Sequence, residues 1–151
     1  MQVEPSAASD TDGEIHFHMD PHDPYAGSAS TVATAKHTTT VRARPIDDVV
    51  VERGLRGPFL LKLDTQGHEA QVLGGASTVL EDAALVQIET YGVPEPGRVA
   101  FDEVCSIMHG YGFRAAGMAD FMMRPSDGLL WQMDTMFLRH DNPRWNHTNW
   151  V

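Results

Sequence analysis

The stretch "LLKLDTQGHEAQVLGGA", residues 60–76, brings together side chains able to do chemistry. The apolar run Leu60 to Leu63 ends in Asp64, and a Gly-containing turn leads to His68 and Glu69. The next apolar run, Ala84 to Ile88, ends in Glu89. In open α/β sheets, ligands bind beyond the carboxyl ends of the strands. If these two strands are neighbours, Asp64 and Glu89 point into one crevice, and Glu69 can face the same opening. Three acids at one mouth can position a hydroxyl substrate, act as general base, or hold a hard divalent cation. A plainer use exists for each: Asp64 or Thr65 can cap a helix, and Glu69 can complement its N-terminus. The pairing of Asp64 with Glu89 is what favours chemistry.

Other reactive residues carry less. His16 and His18 share one face of a strand-like segment and, with His22, have the residue types of a metal site. Exposed histidines flanking a core Ile15-Phe17 face account for the same pattern, so no metal site is assigned. Cys105 falls on the apolar side of a helix and reads as an inert core thiol. Met118, Met122, Met123, Met133 and Met136 read as packing, with lining of an apolar pocket as the alternative.

The elements that must position these residues follow from periodicity. Glu14 to His18 alternates polar and apolar residues as a half-buried strand does. Residues 19–40 are loop-like, and Thr38 to Ala43 reads as a second short strand. A helix starts at Pro45-Ile46-Asp47-Asp48 and stops near Gly54. Phe59 to Leu63 is a buried strand. Val72, Leu73, Ala76, Val79 and Leu80 define one apolar helical stripe, in which Gly74 and Gly75 suggest close packing on a sheet. Ala84 to Glu89 is the next strand, residues 100–109 form an amphipathic helix, and strands follow from Tyr111 and over Trp131 to Arg139. Strand, helix, strand, helix, strand is the order of an α/β sheet with crossover helices. The N-terminal and final strands make the sheet mixed.

The 151 residues fit one domain with a real core. Residues 1–140 are expected to form it, and 141–151 a polar tail. Acids outnumber Lys and Arg 21 to 11, a formal net charge of −10, and no basic patch is visible, which argues against nucleic acid. No apolar run approaches the roughly 20 residues that span a bilayer. Cys105 is the only cysteine, which points to a reducing, cytoplasmic setting.

In order, "SAASDTDGEIHFH", "RPIDDVV", "LLKLDTQGHEAQVLGGA", "LVQIETYG", "FDEVCSIMHGYGF" and "WQMDTMFLRH" resemble successive blocks of FkbM-like methyltransferases. The resemblance covers about residues 5 to 140. It implies a Rossmann-like class I methyltransferase sheet with flanking helices and S-adenosylmethionine as cofactor. Many members methylate hydroxyl oxygens of natural products or sugars, so a small-molecule or sugar hydroxyl is the expected acceptor. Carried over, the family's fourth-strand acid falls on Asp64, its helix-opening Gly and Glu on Gly67 and Glu69, and its fifth-strand acid on Glu89. Its adenine-side loop falls near Ala8, Ser9 and Asp10, and Asp134 matches an acid before the last strand's apolar residues.

The sequence departs from the family in one respect. The Gly-rich turn after the first strand is not found here, and Val3-Glu4-Pro5 lies too near the third-strand match to be the second strand's acid-Pro. The chain thus matches the C-terminal two-thirds of the fold and lacks its first two strands. Two readings follow: an O-methyltransferase domain, or a non-catalytic binding module that kept the scaffold and lost the cofactor half. Either would leave an exposed strand edge, for a second copy or a partner chain to cover.

Overall fold

The structure is a computed structural model that describes residues 3–19, 27–30, 38–93 and 98–150. Strands β1 (Ala7–Ala8), β2 (Gly13–His18), β3 (Ser28–Ser30) and β4 (Thr38–Arg44) come first, then helix α1 (Ile46–Glu52). They are followed by β5 (Phe59–Leu63), α2 (Glu69–Gly74), α3 (Ser77–Glu81), β6 (Ala83–Tyr91), α4 (Phe101–Gly110), β7 (Phe113–Met123) and β8 (Leu130–Arg139). The α/β class is as the sequence pattern implies, but the strands divide between two sheets, in the orders β1-β4-β2-β3 and β5-β6-β8-β7. Both are mixed: β1 runs parallel to β4 and β5 parallel to β6, and the other pairs are antiparallel.

The core explains why the second sheet forms. Leu61 and Leu63 of β5, Val86 and Ile88 of β6, Phe113 and Phe137 alternate onto one face. There they meet Val72, Leu73, Val79 and Leu80 from α2 and α3, and Val104 and Met108 from α4. The intervening positions, Lys62, Gln87 and Glu89, turn to the opposite face. Thr90, buried on β6, bonds the Thr135 hydroxyl at 2.9 Å and the Met133 carbonyl at 3.1 Å, which pins β6 against β8.

Three local expectations are revised. The stripe over residues 72–80 is two helices, because Gly75 passes so close to the first sheet that a Cβ there would lie 1.9 Å from the Ser9 carbonyl oxygen. The second of these, α3, takes its cap from a distance: Asp47 accepts from the backbone N–H of Thr78 and Val79 at 2.8 and 2.9 Å. Within the stretch expected to be loop, Ser28–Ser30 pairs with β2 as an edge strand. Of the five methionines read as packing, Met118, Met122 and Met123 are exposed and only Met133 is buried. They lie on β7, at the sheet edge, with no strand beyond it among the described residues. The tail is partly docked, since the Trp145 indole N–H donates to the Arg139 carbonyl at 2.8 Å. His16 stands beside the Thr40 hydroxyl at 3.4 Å, and His22 lies outside the described residues.

Candidate active site

Strands β5 and β6 are parallel neighbours, with Leu63 beside Ile88, so Asp64 and Glu89 come to one end of the same sheet. Glu89 does not end its strand: β6 runs on to Tyr91, because β8 continues to pair with it as far as Gln132. A cavity of about 550 Å³ lies between the two sheets. Ala8, Ile15, Phe17 and Ala29 give it an apolar wall, and Asp64, Thr65, Gln66, His68 and Glu89 a polar one.

The two cavity acids sit in different surroundings. Asp64 is half-exposed and accepts from the Lys62 ammonium at 2.8 Å, an ion pair open to water. Glu89 is set deeper. Its Oε2 accepts from the Tyr91 hydroxyl at 2.6 Å and from Gln66 Nε2 at 3.5 Å, and its Oε1 from Gln132 Nε2 at 2.7 Å. Burial raises its carboxyl above the usual glutamate range, and the charges of Asp64, Asp134 and Glu69 push the same way. The Tyr91 bond offsets part of this. Asp134, opposite Glu89 on β8, accepts from Gln87 at 2.6 Å.

Glu69 has another place. It is buried, and its Oε1 accepts from the Thr65 N–H, the Thr65 hydroxyl and the Gly67 N–H at 3.0–3.3 Å. Its carboxylate thus closes the turn that presents Asp64 and Gln66, and is not among the cavity walls. That turn needs help, since Gln66 has φ 56, a left-handed conformation uncommon outside glycine. His68 is buried at the start of α2, where its Nε2 meets the Ser9 hydroxyl at 3.1 Å. Of the three residues expected at an adenine-side loop, Ala8 lines the cavity. Ser9 is buried behind it against His68, and Asp10 is exposed. Glu4 is held by Arg44 and Arg53, away from the cavity.

Among the described residues, no group of three or more His, Cys, Asp or Glu is placed to hold a metal ion. Nor is any helix there long and apolar enough to cross a membrane. Tyr91, Gln132 and Gln66 were missed as site residues. The alternation of "QIETY" was the available signal for Tyr91, because it puts Glu89 and Tyr91 on one face.

A mixed sheet with helices packed on it, and acids brought together at one end of two adjacent parallel strands, defines the class as Rossmann-like α/β. The family model for the methyltransferase FkbM domain matches residues 4–115, about three-quarters of the chain, and the chain belongs to that family. The match identifies the domain as one of methyltransferase type. No curated protein and no solved structure matches the chain.

Proposed function

We propose that the chain is an S-adenosylmethionine-dependent O-methyltransferase acting on a hydroxyl of a small molecule or sugar. The observation that carries this reading is the single cavity in which Asp64 and Glu89 face an apolar wall. A volume of about 550 Å³ is within the range of small-molecule sites. The cofactor's parts suit the two walls: Ala8, Ile15 and Phe17 offer apolar surface to a flat base, and Asp64 at the mouth offers negative charge to a sulfonium. When bound, S-adenosylmethionine supplies a methyl group on a positively charged sulfur, which leaves as a neutral thioether as the new O–CH3 bond forms. The chain supplies placement and a proton acceptor.

Glu89 is the better acceptor for the hydroxyl proton, because a carboxyl raised towards neutrality matches that task better than one paired with lysine. Asp64, at the mouth, orients the hydroxyl. Isothermal titration of the full chain with S-adenosylmethionine, followed by transfer assays on hydroxylated acceptors, tests the reading. Glu89→Gln is expected to keep cofactor affinity and lose most turnover, by roughly 100-fold or more. Asp64→Asn should lose less. Absence of binding at millimolar cofactor would sink autonomous catalysis and favour the second reading, a binding module on this scaffold. The specific support for that alternative is the outer edge of β5, which has no strand partner among the described residues.

A further inference from the structure

Glu89 is held by donors from three elements: Tyr91 on its own strand, Gln132 on β8 and Gln66 in the turn after β5. The β6/β8 register places Tyr91 directly opposite Gln132, one same-face step beyond the Glu89–Asp134 pair. The buried Thr90–Thr135 bond fixes that register from the core side. Tyr91 is itself buried, and the Arg98 guanidinium covers its ring at 4.6 Å. Burial, together with the bond to Glu89, drives its phenol far above the ordinary range, so it keeps its proton and can only donate to the carboxylate.

A carboxylate offers about four lone-pair directions. Tyr91 and Gln132 take one on each oxygen through short bonds, and Gln66 takes a third through a long one. We propose that Tyr91 and Gln132 are positioning residues, which between them lock the Glu89 carboxylate in the cavity wall and leave a lone pair for the acceptor hydroxyl. The proposal rests on the reading of this cavity as the acceptor site. A purely structural network would hold the strands together without governing how Glu89 takes up a proton.

Tyr91→Phe separates the two, since it keeps the buried ring and removes only the O–H. Carboxyl NMR titration of the full chain, with Glu89 assigned through Glu89→Gln, should show Glu89 protonating about one pH unit higher than in the wild type. The acid limb of kcat should move up by the same amount, with KM for the cofactor unchanged. A Glu89 titration that does not move overturns the proposal, whatever happens to Tm. If Tyr91→Phe does not fold, Gln132→Met carries the same expectation and the same refutation. A wild-type chain that transfers no methyl group sinks the proposed function, yet the NMR titration still decides the positioning claim.

Discussion

A buried carboxylate is costly unless donors meet its oxygens, and Glu69 finds three of them within one turn. Glu69→Ala would leave the N–H groups of Thr65 and Gly67 without this acceptor, and urea melts should show a loss of about 2–4 kcal/mol. Glu69→Gln should recover part of it, whereas Glu89→Gln should change activity far more than stability. His68 gives a pH signature. Burial holds its imidazole below the usual 6.5. Below that pH the unfolded chain takes up a proton that folded His68 refuses, so stability should fall as the pH drops through about 6.5. Urea midpoints at about pH 7.5 and 5.5 should therefore separate more for the wild type than for His68→Asn. The pairing of Asp64 with Glu89 was legible because each follows an apolar run and a single helical stretch lies between them. The Glu89 cradle was not, since Gln132 reaches it through a register set more than 40 residues along the chain.

Within elements, adjacent glycines behave differently. At Gly75 a Cβ would meet backbone, the Ser9 carbonyl oxygen at 1.9 Å, and backbone cannot step aside cheaply. At Gly74 the nearest atom is the Asp10 Cβ at 3.4 Å, an ordinary contact. Gly75→Ala should thus lose about 1–3 kcal/mol or fail to fold, while Gly74→Ala should be neutral or gain up to about 1 kcal/mol of helix propensity. Thermal melts of the two single variants decide this. Asp47→Ala should cost about 1–2 kcal/mol, because α3 loses the acceptor for its first N–H groups. The apolar stripe over 72–80 was readable as helical because it faces one core throughout. The break within it was not, because its cause is a strand-end residue brought in from the N-terminal part.

At the scale of the whole molecule, helices cover one face of the second sheet, and the cavity lies between the two sheets. The sequence pattern implied one mixed sheet. Alternation in β2 and β4 identifies each as a strand but is silent about which sheet takes it, since pairing partners are chosen over long distances. The methionines show the same limit: residue type suggested burial, and an edge position left Met118, Met122 and Met123 facing water. Mild peroxide should therefore oxidise these three well before the buried Met108 and Met133, as peptide mass shifts would show.

One serine is held on three sides, once within the first sheet and twice against α2. The Ser9 N–H bonds the Arg44 carbonyl at 3.0 Å, its carbonyl lies against Gly75, and its hydroxyl meets His68. Its neighbour Ala8 and its partner His68 both line the cavity, so Ser9 stands directly behind the wall. A bulkier side chain at this position would press on His68, so the shape of the wall depends on a residue that is not itself part of the lining.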